Sequence, residues 1–392
     1  MSAGPKQTVA DVAARGSGKP AAVIFRKRLL PWSETFIAAQ GGALSRYHPV
    51  FVGYRMQEGG AKYLAGRDVV PLERHAAVPQ LAKALVQGLR MLPPGWRREL
   101  ARRRPAVVHA HFGVNALDAN VIARAFRIPL VVTYHGMDIA IERGWRDRRE
   151  RRRVFDAAAR IIAVSDFIAD RLREAGCPEH KLVVHHIGVD TTHFEPPPFE
   201  TRSDSEILFV GRLVSKKGLT HLLRAMRTIR ERVPAAELLI AGDGPLRERH
   251  EAEAAELGVR CRFLGVQTPA QVRELMRRAA VFCAPSVVAP DGNAEGLPMT
   301  IVEAQASGLP VVAYPSGGSA EGIRHGRTGY VAQPRDEEQL AAYLVDLLTD
   351  RSRREEFGAA ARQWALDEFD LVKQTGRLEG IYDAARADAR ER

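Results

Sequence analysis

Two acidic side chains, Glu295 and Glu303, stand eight positions apart in the stretch NAEGLPMTIVEAQASGLPVV, residues 293–312, around a Gly-Leu-Pro turn. Such a pair suits an acid/base couple, a clamp for a ligand, or a helix start. Thr300 and Glu303 have the T-x-x-E spacing of a capping box, which predicts a helix from there to Gly308, with Pro310 behind it. Capping is a sufficient role for Glu303. It does not reach Glu295, whose carboxylate can accept hydrogen bonds from a polyol while unpaired N–H groups at the helix start meet an anion. Together the two carboxylates fit a ligand carrying both hydroxyls and phosphates.

The stretch VGRLVSKKGL sets Arg212 and Lys217 between an apolar run and a helical pattern, where helix-start N–H groups, the helix dipole and two cations can converge on phosphate. The bland alternative is a pair of solvated cations on a loop. The spacing is not that of a Walker A loop, and GDGPLR is not G-x-G-x-x-G, which removes the best support for kinase, NTPase and dehydrogenase readings. AGDGP reads as a tight turn built by Asp243 and Gly244. In VVTYHGMD, His135 ends an apolar run, with Gly136 permitting close backbone approach and Asp138 nearby. His109 and His111, two apart in a strand, share one face, but no third ligand at metal spacing accompanies them.

These residues need elements to hold them. Apolar runs at 21–25, 107–111, 130–135, 161–165 and 182–186 alternate with helical patterns, and the alternation resumes at 207–211, 238–242, 281–286 and 311–315. Strand–helix alternation implies parallel, doubly wound sheets, whose ligands bind at the carboxyl ends of the strands. The expected organisation is a disordered tail over 1–20, an α/β domain over 21–190, a linker over 191–206 and a second α/β domain over 207–368. A C-terminal helix over 369–392 is free to return to the first domain. Leu219, Leu222, Leu223, Met226 and Ile229 fall on one helical face directly behind Lys217.

With 392 residues, 45% hydrophobic and 27% charged, the chain is long enough for two ordinary domains and is neither fibrous nor disordered in composition. An excess of 58 Lys and Arg over 47 Asp and Glu favours anionic partners. Cys177, Cys261 and Cys283 are scattered, without C-x-x-C spacing, which suggests a reducing cytoplasm. No stretch reads as a secretory signal or a bilayer span. The arginine-rich runs WRRELARRR (96–104) and RGWRDRRERRR (143–153) read either as solvated helix faces or as electrostatic contacts with the inner face of an anionic membrane, with Trp96 and Trp145 at the interface. No nucleic-acid module accompanies the charge.

Taken in order, HGMD, HIGVDTTHFEP, VGRLVSKKG, AGDGP and the E-x-x-x-x-x-x-x-E of EGLPMTIVEAQASGLPVVA resemble the retaining nucleotide-sugar glycosyltransferases of family 4, over about residues 21–370. The resemblance implies the GT-B fold of two facing Rossmann-like domains, no cofactor and no metal. It implies a nucleoside diphosphate sugar as donor, with a glycan or lipid-linked acceptor. By the same resemblance Glu295 would hold donor-sugar hydroxyls and Glu303 the ribose hydroxyls. Arg212 and Lys217 would meet the diphosphate, and His135 would stand near the sugar. Val266 would lie against the base, and Gly296, Leu297 and Thr300 would complete the donor loop. The sequence departs from the family pattern where a Gly-rich loop usually follows the first strand. LLPWSETFIAAQ (29–40) stands there instead and resembles a colanic acid and exopolysaccharide subset, which makes Ser33, Glu34 and Thr35 acceptor-side candidates. The rival classes are a basic, non-catalytic protein binding nucleic acid or anionic lipid, and another GT-B enzyme such as a phosphorylase or epimerase.

Overall fold

The computed structural model describes residues 18–29, 34–57, 60–76, 78–140 and 144–391. The tail expected over 1–20 therefore lies almost wholly outside the described residues, as does Ser33. Contacts divide the chain into two units, one made of Met1–Val164, Ala169–Gly188 and Leu371–Arg392, the other of Ser165–Ile168 and Val189–Asp370.

The first unit is built on seven parallel strands, β1 (Ala21–Phe25), β2 (His48–Gly53), β3 (Asp68–Pro71), β4 (Pro105–His111), β5 (Leu130–Tyr134), β6 (Arg160–Ala163) and β7 (Leu182–Val184). Their order is β3-β2-β1-β4-β5-β6-β7. Central strands covered on both faces need continuous apolar runs, and every side chain of β1 and β5 is buried. Helices α1 (Thr35–Gly42), α2 (Pro79–Ala84), α3 (Pro94–Ala101), α4 (Ala116–Phe126) and α5 (Trp145–Ala157) lie between these strands in sequence.

Trp96, expected at a membrane interface, is instead 0% exposed. Its ring stacks on Tyr54 with centroids 5.9 Å apart and meets the Phe25 ring edge-on at 6.3 Å. The first arginine run is likewise partly structural. Arg103 donates through Nε to both oxygens of the buried Asp68, at 2.9 and 2.8 Å, and so ties α3 to the edge strand β3.

In the second unit β8 (Glu206–Val210), β9 (Glu237–Ala241), β10 (Cys261–Gly265), β11 (Val281–Ala284), β12 (Val311–Ala313) and β13 (Gly329–Val331) form a parallel sheet of order β10-β9-β8-β11-β12-β13. Helix α6 (Leu219–Arg232) buries Leu222, Leu223, Met226 and Ile229 against it. Each such side chain contributes about 1.5–3 kcal/mol relative to exposure. Helices α7 (Pro269–Arg278) and α8 (Met299–Ala306) follow. The segment read as a linker, 191–206, is packed within this unit. Arg362 donates to the carbonyls of Thr191 and Ala306 at 2.8 and 2.7 Å, and Arg202 donates to that of Met276 at 2.9 Å.

The helix α9 (Leu371–Arg390) belongs to the first unit. Its buried Glu379 accepts from the Ser45 N–H and hydroxyl at 2.7 and 2.9 Å, and its Tyr382 hydroxyl lies 2.6 Å from His109 Nδ1. Among the described residues no helix is long and apolar enough to cross a membrane.

Candidate functional site

In the second unit, the carboxyl end of β8 runs through Gly211 and Arg212 into a single 3-10 turn, Ser215–Lys217, before α6 begins. Gly218 makes that junction with φ 66°, and a Cβ there would stand 1.8 Å from the Pro285 carbonyl oxygen, so only glycine allows so close an approach. The turn aims both lysines at the loop after β11. Lys217 Nζ lies 3.0 Å and Lys216 Nζ 3.7 Å from Glu295 Oε1, and the Ser286 hydroxyl donates to the same oxygen at 3.5 Å. Glu295 is only 7% exposed. Burial by itself would raise its carboxyl, but Lys217 and then Lys216 outweigh it and hold the group below its ordinary value. Glu295 is therefore an ionised, buried carboxylate at neutral pH, which suits it to accept hydrogen bonds and not to donate a proton.

Arg212 is exposed, and its guanidinium has no hydrogen-bond or ion-pair partner among the described residues. The site thus brings Lys217 onto Glu295 and leaves Arg212 as the uncommitted cation at the same strand end. Gly296 and Leu297 are buried behind Glu295. The Gly318 N–H donates to the Glu295 carbonyl at 3.1 Å, which fixes the loop backbone. Val266 follows β10 and is 62% exposed, while the Gln267 amide next to it donates to the Leu264 carbonyl at 2.6 Å.

Thr300 does not cap α8. The helix starts at Met299, Pro298 occupies the N-cap and no side-chain cap bond forms, so Thr300 lies one position inside the helix. Proline's fixed φ sets the start earlier than the T-x-x-E pattern implies. The helix also ends at Ala306, with Gly308 beyond it at φ 65°. A capping box does form in α7, where Thr268 and Gln271 satisfy each other's backbone N–H groups.

Freed from capping, the Glu303 carboxylate is half-buried and has no hydrogen-bond or ion-pair partner among the described residues. Burial pushes its pKa up to about 7. A folded-state value above the unfolded one makes the ionised form unfavourable, so stability is lost as pH rises from about 4.5 through about 7. Glu303→Gln, which mimics the neutral acid, should raise the melting temperature at pH ~8 and leave it unchanged near pH ~4. Equal melting temperatures at the higher pH would refute the assignment.

The sequence candidates of the first unit gather at the ends of β1, β4 and β5. His135 Nε2 lies 3.1 Å from His111 Nδ1. The His135 ring packs against Phe112 and Phe36, with centroids 4.4 and 5.2 Å away. Burial, with smaller contributions from His109 and Arg26, pushes the His135 pKa down to about 3, so its imidazole is neutral at physiological pH. Asp138 is not a proton partner for it. Asp138 Oδ1 accepts from the backbone N–H groups of His135 and Gly136, both at 3.0 Å, and Oδ2 accepts from that of Gly113 at 2.8 Å. It clamps the loops after β4 and β5 together.

Glu34 is buried and committed. It takes both arms of Arg26, Nε at 2.7 Å and Nη2 at 2.5 Å, and the guanidinium lies 4.3 Å above the Phe112 ring. Thr35 opens α1, half-buried, without serving as its cap. Phe112 holds a φ of 67°, a conformation costing a bulky residue about 1–3 kcal/mol. Its N–H donation to the Thr133 carbonyl at 2.8 Å helps hold it there. No group of three or more potential metal ligands occurs among the described residues.

Motif reading does not single out Lys216 and Ser286, which stand beside Glu295 in the second unit, or Arg26, which stands beside Glu34 in the first. Each stands within a few positions of a strand's carboxyl end, and that placement was the signal available.

Residues 33–193 match the family model described as Glycosyltransferase Family 4, and residues 192–364 match that described as Glycosyl transferases group 1. The chain is 32% identical over 292 residues to the GDP-mannose-dependent alpha-(1-6)-phosphatidylinositol monomannoside mannosyltransferase of Mycolicibacterium smegmatis, covering 70% of this chain and 75% of that one. The chain belongs to glycosyltransferase family 4. As a family 4 member it is also 32% identical over 248 residues to the putative colanic acid biosynthesis glycosyltransferase WcaL of Escherichia coli K12, where the match covers 62% of this chain. The chain spans 61% of that relative's length. Its fold is shared with Anabaena Alr3699/HepE in complex with UDP, at a TM-score of 0.74 and 19% identity, over 93% of this chain and 100% of that one. Sucrose-phosphate synthase from Thermosynechococcus elongatus matches at 0.74 and 17%, over 94% and 100%. The two Rossmann-like units are those of the GT-B fold.

Proposed function

We propose that this family 4 chain is a retaining hexosyltransferase that moves a sugar from a nucleoside diphosphate sugar to an acceptor hydroxyl. We infer a lipid-linked glycan acceptor in exopolysaccharide, capsule or lipopolysaccharide assembly, met at the cytoplasmic face of an anionic membrane. The single observation that carries the reading is the buried, ionised Glu295 held by Lys217, with the uncommitted Arg212 at the same strand end.

In this mechanism Glu295 accepts hydrogen bonds from hydroxyls of the donor sugar and Glu303 from those of the ribose. The bond from the anomeric carbon to the diphosphate breaks with its electron pair leaving on the phosphate oxygen. Arg212, Lys217 and the free N–H groups at the start of α8 stabilise that charge. The acceptor oxygen attacks the same face of the oxocarbenium-like centre, and its proton passes to the departing phosphate. With cations supplied by side chains, no metal is required for charge neutralisation. The neutral His135 is suited to hydrogen bonding a sugar hydroxyl without adding charge. The loop around Val266 supplies backbone to the base. Thr35 and the Arg26–Glu34 pair mark the acceptor side.

Screening UDP-, GDP- and ADP-sugars by thermal stabilisation and titration calorimetry tests the donor class. One nucleotide should bind with defined stoichiometry and lose affinity when Arg212 is replaced. Failure of all three to bind would overturn the assignment, and an inverted anomeric configuration in the product would overturn retention.

A further inference from the structure

Exposed apolar side chains scattered singly over a surface need no explanation, whereas a contiguous set beside charge marks a contact. Of the eleven exposed large apolar side chains among the described residues, seven fall within Val78–Met91 or at Val114, Met137 and Trp145, all in the first unit. Helix α2 and the irregular turn that continues it, Leu85–Leu89, bury Ala82 and Val86. They turn Leu81 and Leu89 outward, eight residues apart and so on one side, with Met91 exposed just beyond.

Beneath this region the buried Asp118 of α4 ties the Leu85–Leu89 turn to the segment after β1. It accepts from Gln87 and Arg90 at 3.1 and 3.0 Å and stands 3.2 Å from Lys27, whose ammonium also donates to the Val114 carbonyl at 2.7 Å. Arg90, Arg124 and Arg153 line one cavity of about 290 Å3, whose lining includes no carboxylate. Arg153 belongs to α5, whose Arg149, Arg152 and Arg153 are exposed and have no carboxylate partner among the described residues. Trp145 opens α5 at 66% exposure, with Arg146 5.4 Å from its ring.

We propose that this face of the first unit docks on a bilayer rich in anionic phospholipid. The exposed arginines Arg149, Arg152 and Arg153 of α5 would pair with headgroup phosphates while Leu81, Leu89, Met91 and Trp145 enter the interface. Exposed Leu81, Leu89 and Met91 favour a membrane over nucleic acid, which would be met by charge and hydrogen bonding without exposed aliphatic side chains. The proposal rests on the membrane-side acceptor reading above and supplies its surface. The same face carries Lys27 and Val114, which stand at the ends of β1 and β4, where the acceptor-side residues lie.

Vesicles of phosphatidylglycerol and phosphatidylcholine in equal amounts, compared with phosphatidylcholine alone, test it by flotation of the full chain. Wild-type protein should bind only the acidic vesicles. Combined Arg149→Glu, Arg152→Glu and Arg153→Glu should weaken binding by at least about tenfold. Leu81→Ser with Leu89→Ser, which touches no charge, should also weaken it, and both variants should keep wild-type melting temperatures and nucleotide binding. Wild-type binding to acidic vesicles that neither variant alters would overturn the surface while leaving the membrane-side reading intact. Absence of wild-type binding would overturn both. Loss in the arginine variant alone, with duplex DNA competing as well as the vesicles, would overturn the lipid assignment in favour of a general polyanion patch.

Discussion

Arg212→Ala is expected to lower glycosyl transfer by about a hundred- to a thousandfold while leaving the melting temperature where it was. The dissociation follows from its surroundings. Its guanidinium is exposed and has no partner among the described residues, so removal breaks nothing in the fold, and exposed substitutions usually shift stability by less than about 0.5 kcal/mol. On the proposed mechanism, what is lost is a cation where negative charge would develop on a departing diphosphate. Glu295→Ala should be equally inactive for a different reason, since it removes the carboxylate that faces Lys217 at 3.0 Å and Lys216 at 3.7 Å. Leaving those two ammonium groups side by side without their counter-charge predicts a measurable fall in stability as well. Near-wild-type turnover in folded Arg212→Ala protein would remove the central support for the site.

Trp96→Ala should destabilise the first unit by about 3–5 kcal/mol, read as a lower urea midpoint for that unit's transition. The indole is wholly enclosed, stacked on Tyr54 and edge-on to Phe25, and truncation leaves a void between α3 and β1. The same substitution should not alter vesicle binding by the fraction that remains folded. A variant as stable as wild type would mean that the indole is not in the core. Trp145 makes the contrasting case, because its replacement should leave the midpoint unchanged.

Among the described residues the sequence pattern marks every strand inside the two large sheets except His48–Gly53, and of their four edge strands only Leu182–Val184. Ala21–Phe25, Leu130–Tyr134 and Glu206–Val210 announce themselves as apolar runs because helices lie on both sides of them. Asp68–Pro71, Cys261–Gly265 and Gly329–Val331 are edge strands, where charge, proline and short length are tolerated or favoured, so hydropathy alone does not reveal them. His48–Gly53, next to an edge, has only Val50–Val52 as a continuous apolar run behind a His-Pro start. At the site, Lys217 and Glu295 were legible because each stands at a loop behind a strand. Thr300 does not open α8, because the pattern S/T-x-x-E does not say which residue starts the helix and Pro298 decides it. Likewise an Arg-Trp run cannot show which tryptophan faces water. Trp96 points into the body of the unit and Trp145 away from it, although both stand in the first turn of a basic helix. The strained Phe112 has no sequence signature, since its φ is imposed by contacts from other elements.

The enclosure of α9 in the first unit bears on how the chain is made. A ribosome that has emitted everything up to Asp370 has released the second unit complete, while the first still lacks the helix that brings Tyr382 to His109 and Glu379 to Ser45. Synthesis order and completion order are therefore reversed. The half of the molecule translated first is the half that closes last, and during that interval the buried histidine of β4 has no tyrosine hydroxyl beside it.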